Sequence, residues 1–301
     1  LFHRLNREET ESYRADRAAK GFNVIQAVVL AELDGLTVPN PQGHLPLLDK
    51  DLGRPDVKEG PDNDYWDNIE WTLRLAERKG LYVGLLPMWG KYCPADTGNC
   101  ERYGRFIGER FKDHANIIWI LGGDRPAPTK PEQDAWRAMA KGIAIGVSGR
   151  EDYDRVLMTY HTFGPDSASK YFHEDTWLDF AAIQSSHGDR ILNWRMIEKD
   201  YQRQPIKPVI DLETTYPELA ILKGMKPGND DHARRSAYWA VFSGAFGHTY
   251  GHNSIWQMYA PGRKPILNAR NDWSQALQAP SATQMGYLRG LIESRPFLTQ
   301  S

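Results

Sequence analysis

Short apolar runs alternate along this chain with stretches in which apolar residues return every three or four positions. The clearest run is Asn116-Ile117-Ile118-Trp119-Ile120-Leu121-Gly122-Gly123-Asp124, five apolar residues, most of them β-branched or aromatic, halted by two glycines and an acid. A run without polar alternation suits a strand covered on both faces, as in a parallel sheet. Six further runs, near residues 25, 83, 157, 182, 210 and 248, read the same way. Helical spacing predicts helices over residues 6–20, 62–80, 98–111, 132–146, 192–201, 231–242 and 282–293, with a short acidic helix near Asp175. The first ends at Gly21, a favourable stop; the second carries Trp66, Ile69, Leu73 and Ala76 on one face.

Strands that alternate with helices imply a parallel sheet, and eight such units close a barrel. The chain opens on a helix, so the expected fold is α/β, a (β/α)8 TIM barrel whose first strand lies upstream of Leu1. A single domain over residues 1–301 suffices, because about 250 residues is typical of one such barrel. A seven-stranded open sheet is the competing arrangement; it would call for a glycine-rich nucleotide fingerprint at its switch point, and none is present. Residues 31–60 hold several prolines and glycines and no periodicity, and loops of that length in a compact domain are usually functional or mobile.

The barrel gives strand ends a common address, since catalytic side chains sit just after the strands. Numbered as though one strand precedes the chain, the rim collects Trp89 after the third, Asp124 after the fourth, His161 after the fifth, His187 after the sixth, Glu213 after the seventh and His252 after the eighth. Any one of these can be a helix cap or a packed core histidine. Six strands in succession ending this way point to a site. Glycoside hydrolysis needs one carboxylic acid to protonate the leaving oxygen and a second carboxylate to attack the sugar or activate water. Asp124 and Glu213 would face each other across the barrel mouth. Asp211, two residues before Glu213, falls on the same face by strand alternation and either tunes it or is a buried, paired acid.

His161, His187 and His252 can hydrogen-bond sugar hydroxyls or orient the carboxylates. Trp89, Tyr216, Tyr250 and Trp256 can offer apolar platforms, with core packing as the alternative for each, and His248 reads as a buried strand histidine. Gln26 and Gln184 are polar residues inside apolar strands that either point into the mouth or satisfy backbone groups.

The segments Leu1-Phe2-His3-Arg4-Leu5, Gly21-Phe22-Asn23-Val24-Ile25-Gln26, Trp119 to Asp124, and Asp211-Leu212-Glu213 followed by Tyr216 resemble the apiosidase-type glycoside hydrolases of family 140, formerly grouped as domain of unknown function 4038. The resemblance runs through most of the chain. It implies a (β/α)8 barrel acting on plant cell-wall pectin, with Asp124 as acid/base and Glu213 as nucleophile in a retaining reaction. It also implies an N-terminal strand ending in a Gly-Asp-Thr-Ala-Trp-like segment and a C-terminal β-sandwich, neither of which is in these 301 residues. A piece of a larger secreted or periplasmic enzyme is therefore expected.

Two rivals stand beside this reading. A metal-dependent hydrolase would use His161 and His187, but it would also want an acid where His252 stands. A non-catalytic sugar-binding barrel would keep the platforms and not need the acids. Composition narrows the partners: 37 basic against 39 acidic residues, without long like-charged runs, give no reason to expect nucleic acid. No run approaches the roughly 18 apolar residues of a membrane span. Aromatics make up 11% of the chain, with ten Trp and fourteen Tyr, which suits a carbohydrate partner. No metal or cofactor is expected. Cys93 and Cys100 are either a loop-clipping disulfide or two free thiols.

Overall fold

The computed structural model describes residues 1–187, 192–221 and 224–297. In chain order the elements are α1 (Arg7–Ala19), β1 (Val24–Leu30), α2 (Tyr65–Arg78), β2 (Tyr82–Met88), α3 (Thr97–Arg110), β3 (Ile117–Gly122), α4 (Lys130–Ser148) and β4 (Met158–His161). There follow β5 (Asp166–Ser167), α5 (Ser169–Phe172), β6 (Ala181–Gln184), α6 (Asn193–Tyr201), β7 (Val209–Glu213), α7 (Asp230–Phe242) and β8 (Gly247–His248). Three helices close the series, α8 (Asn253–Trp256), α9 (Trp273–Ala276) and α10 (Pro280–Glu293).

Local chemistry sets the helix ends. Asn6 caps α1 by accepting from the Glu9 amide at 2.9 Å, while the Glu9 side chain returns to the Asn6 amide at 2.8 Å. Thr129 and Glu132 repeat that reciprocal cap on α4, which stops at Gly149 in the left-handed region. The predicted helix at Asp175 is corrected: the single turn of α5 ends at Phe172, and Asp175 accepts from Arg137 and from the Trp177 indole.

All seven expected strands form, and every ladder between two of them is parallel. β1 to β4 make one sheet in chain order, with Gln26 opposite Gly84, Leu85 opposite Trp119 and Ile120 opposite Thr159. β6, β7 and β8 continue in parallel, and the two-residue β5, too short to leave a periodic signal, pairs antiparallel on the outer edge of β6. The two sheets do not form one closed ladder. They are stitched between β4 and β6 by the Asp179 amide on the Met158 carbonyl (3.0 Å) and the Thr159 hydroxyl on the Phe180 carbonyl (2.7 Å). Among the described residues no ladder joins β8 to β1, and a cavity of about 930 Å³ is lined by both.

Alternation sorts each strand into two layers. Ile25, Ala27 and Val29 of β1 are buried in the main core, which also holds Ile69 and Leu73 of α2. Val28, Leu86, Ile120, Ala182, Ile210 and Leu212 meet inside the barrel. Trp66 is fully buried and its indole donates to the Pro46 carbonyl at 3.2 Å, tying the long loop after β1 to α2. Truncating Leu73, itself fully buried, to Ala would cost about 2–5 kcal/mol. Such packing makes the barrel a rigid frame for its rim.

Candidate active site

The acid after β3 is placed by its backbone. Gly122, Gly123 and Asp124 have φ of 86°, 110° and 52°, three successive residues in the left-handed half of the map. A Cβ on Gly122 would lie 2.2 Å from the His161 carbonyl oxygen, and one on Gly123 would lie 2.9 Å from the Gly90 nitrogen, so neither position accepts a side chain. The Gly123 amide donates to the His161 carbonyl (2.9 Å) and its own carbonyl accepts from the Gly90 amide (3.0 Å). Asp124, a non-glycine residue in this conformation, is held by those neighbours; strained positions of this kind cluster at functional sites. Its amide reaches Nδ1 of His161 at 3.3 Å, and its Oδ1 accepts from the Gln184 amide at 3.1 Å. Burial and the nearby charge of Glu213 raise the Asp124 carboxyl above its ordinary value.

The acid of β7 is placed by side chains. The register between β6 and β7 slips by one residue, with Ile183 opposite Asp211 and Gln184 opposite Glu213. Leu212 and Glu213 therefore both line the cavity. Asp211 is turned the other way, which corrects the expectation that it shares Glu213's face. Its Oδ2 accepts from the Ser185 hydroxyl and the Asn193 amide, each at 2.8 Å, and burial pushes its carboxyl up to about 7. Glu213 is gripped by two histidines: Nε2 of His187 lies 3.1 Å from Oε1, and Nε2 of His161 lies 3.0 Å from Oε2. Burial works to raise the Glu213 carboxyl, but the contacts with His161 and His187 outweigh it and hold the group well below the usual carboxylate range. Burial works to lower His161, and the contact with Glu213 reverses that and raises it.

The histidines after β4 and β6 thus converge on one carboxylate. Among the described residues no group of three or more His, Cys, Asp or Glu is placed to share a metal ion. The Tyr216 ring stands edge-on to His187 with centroids 4.8 Å apart, and the Trp89 ring lies 6.1 Å from that of His161. Trp89, Tyr216 and Trp256 all line the cavity that holds Asp124 and Glu213. Tyr250 lines it too, but its hydroxyl is spent on Ser281 (3.1 Å) and its ring on Phe22. His252 is buried and uses Nδ1 to accept from the Ser254 amide at the start of α8, and burial lowers it to about 4. His248 is likewise lowered by burial, to about 3. Gln26 lines the cavity deep in the barrel, four residues before β1 ends at Leu30.

Of two further wall residues, the sequence singled out Gln184 with its role left open and gave no sign of Glu32. Gln184, visible only as a polar interruption in an apolar strand, supplies the side-chain donor to Asp124. Glu32, two residues past the end of β1, lines the cavity although its stretch carries no periodic pattern. Cys93 and Cys100 are free thiols with sulfurs 3.7 Å apart. No helix among the described residues is long and apolar enough to cross a membrane.

Comparison with known proteins places this geometry. The family model of the apiosidase-like catalytic domain matches residues 1–299. A solved structure named a glycoside hydrolase superposes with a TM-score of 0.89 at 33% identity, over 99% of this chain and 69% of that one. A glycoside hydrolase family 5 structure from Bacteroides vulgatus superposes with 0.88 at 32% identity, over 99% of this chain and 66% of its own. The chain thus spans about two thirds of the length of these relatives. An endo-1,4-β-D-mannanase from Thermotoga petrophila, at 12% identity, TM-score 0.58 and coverage of 95% and 97%, shares the fold. No curated protein was found to match. With a family model over nearly its whole length and two acids on one barrel rim, the chain belongs to the apiosidase-like catalytic-domain family and is a glycoside hydrolase.

Proposed function

We propose that the protein is a retaining glycosidase that releases an apiose-like sugar from pectic oligosaccharides outside the cytoplasm, with Glu213 as nucleophile and Asp124 as acid/base. The observation that carries this is two acids lining one cavity at the ends of β3 and β7, Asp124 accepting from the Gln184 amide and Glu213 in contact with His161 and His187, surroundings that shift Asp124 up and Glu213 down. An acid that keeps its proton and a partner that stays ionised are what the first step requires. One Glu213 oxygen attacks the anomeric carbon, the bond to the leaving oxygen breaks, and Asp124 gives that oxygen its proton. Asp124, now ionised, takes a proton from water as the water attacks the same carbon and frees Glu213. Trp89, Tyr216 and Trp256 give the sugar apolar walls, and His161 and His187 fix the nucleophile.

The pectic substrate is supported by the family's name and by the resemblance of the motif segments. The test is a screen of pectic and arabinan-type oligosaccharides, followed by proton magnetic resonance of the first anomer formed. Retained configuration is expected. First release of the inverted anomer would remove Glu213 from the nucleophile's role, and turnover confined to non-pectic glycosides would overturn the substrate class.

A further inference from the structure

We propose that Glu32 is a third carboxylate of the site, a substrate-positioning acid whose free oxygen accepts hydrogen bonds from sugar hydroxyls; this rests on the glycosidase reading above. Glu32 follows the last residue of β1 by two positions, the same offset that separates Asp124 from Gly122. It therefore occupies the strand-end address shared by the catalytic pair, and it lines the same cavity as Asp124 and Glu213. Its Oε2 is buried and has no hydrogen-bond partner among the described residues. An acceptor left in that state costs stability, and function is the usual reason for retaining one.

The turn behind Glu32 is built to hold it. Leu33 and Asp34 have φ of 59° and 70°, two successive non-glycine residues in the left-handed region. At Gly35 a Cβ would lie 2.6 Å from the Ala31 carbonyl oxygen, so the turn closes only around glycine. The Asp34 carbonyl accepts from the amides of Thr37 (2.9 Å) and Val38 (2.8 Å), and the Leu33 carbonyl is met by the buried His3 ring at 3.2 Å. Arg4, which also lines the cavity, directs its guanidinium to the Gln257 and Leu33 carbonyls. It brings positive charge near Glu32 without occupying the free oxygen. Burial raises the Glu32 carboxyl above its ordinary value.

An ionised carboxylate only accepts hydrogen bonds. In that form the group that completes the free Oε2 is a donor, and a hydroxyl of a sugar ring can supply it. The β1 wall then reads the hydroxyl pattern of the sugar whose anomeric carbon faces Glu213.

The test compares wild type with Glu32→Gln on 4-nitrophenyl apiofuranoside and on its analogues deoxygenated at C2 or at C3. Thermal melting checks that the isosteric variant folds. If it does not, Glu32→Asp, which keeps the charge and withdraws it by one methylene, takes its place. Expected is a roughly 10- to 100-fold loss of kcat/KM on the complete sugar, the size of one hydrogen bond to a charged group, and convergence of variant and wild type on one of the deoxy analogues. An equal loss on all three substrates would make Glu32 a structural residue and overturn the proposal, as would no loss. If wild type cleaves none of the apiosides, the substrate reading is what fails. Glu32 is then judged by the same comparison on the glycoside that the oligosaccharide screen returns, and if that screen returns none both readings fall.

Discussion

The corners of the site at the ends of β3 and β7 hold similar side chains by different means. At β3 the backbone does the positioning: two glycines and a left-handed Asp124, locked by amide–carbonyl bonds to His161 and Gly90, with, among the described residues, one neutral side-chain donor from Gln184. At β7 the backbone is a strand with one slip, and the positioning comes from His161 and His187 on the two oxygens of Glu213. The difference suits the roles proposed for the two acids. Charged or doubled donors stabilise a carboxylate, which helps a nucleophile that must be ionised and harms an acid that must carry a proton. Positioning by main chain holds Asp124 firmly without a charged donor on its carboxyl that would favour the ionised form.

The most severe way to break this contrast is to remove each acid in turn. Glu213→Gln should lower kcat by on the order of 10⁴-fold or more on any glycoside, because no leaving group replaces a nucleophile. Asp124→Asn should lower kcat/KM, which reports the first step, by about 10²- to 10⁴-fold on an alkyl or sugar leaving group, the usual contribution of a positioned acid, and far less on a dinitrophenyl glycoside, which departs without a proton. Steady-state kinetics on the two substrate types read this directly. Equal losses for Asp124→Asn on both would show that the β3 corner does not donate the proton.

Next in size is the backbone device itself. Gly123→Ala places a Cβ at φ 110°, 2.9 Å from both the Gly90 nitrogen and the Trp89 ring. A denaturant melt should show a loss of about 1–3 kcal/mol, and displacement of Asp124 by even 1 Å should cost about 10²-fold in kcat. The activity loss should exceed what the fraction of unfolded protein explains. A variant with normal turnover would show that the glycine pair matters only for the turn.

Much of this was readable in the amino-acid order, for identifiable reasons. Strands buried on both faces leave unbroken apolar runs, so β1 to β4 and β6 to β8 stood out, and the rule that catalytic groups follow strands pointed to Asp124, Glu213, His161 and His187, which the structure brings together. Glu32 has the same address but sits where proline- and glycine-rich sequence begins, so nothing periodic marked it. Asp211 was assigned the wrong face because alternation holds only while register holds, and the slip opposite Gln184 is a tertiary event. Likewise, nothing local says that two histidines separated by 26 residues (His161 and His187) will meet on one carboxylate. With the first barrel strand expected upstream of Leu1, no ladder is due between β8 and β1, and among the described residues none forms; the break between β4 and β6 left no mark in the sequence.

The smallest expected effect lies in the pH behaviour of the β7 corner. Glu213 is depressed in the folded protein, so its contribution to stability is complete above its ordinary value of 4.5 and is lost as pH falls through the folded value. His161 is raised, so its contribution is complete below its ordinary value of 6.5 and is lost as pH rises through the folded one. The pair therefore stabilises most fully between those two values. His161→Ala removes one of the two contacts that keep Glu213 ionised and leaves His187 in place. Turnover near neutral pH should fall by only about 10-fold, while the acid limb of kcat/KM moves to higher pH, because Glu213 then protonates more readily. The basic limb, set by loss of the Asp124 proton, should move up only slightly or stay, since His161 charge weighs on Asp124 less than burial, Glu213 and Gln184 do. Thermal melts of wild type and variant should differ most inside the window, with only the constant packing loss of the truncated ring left outside it. An acid limb that stays in place would mean that His187 alone holds the nucleophile, and the contrast between a backbone-held acid and a doubly gripped nucleophile would reduce to a single contact.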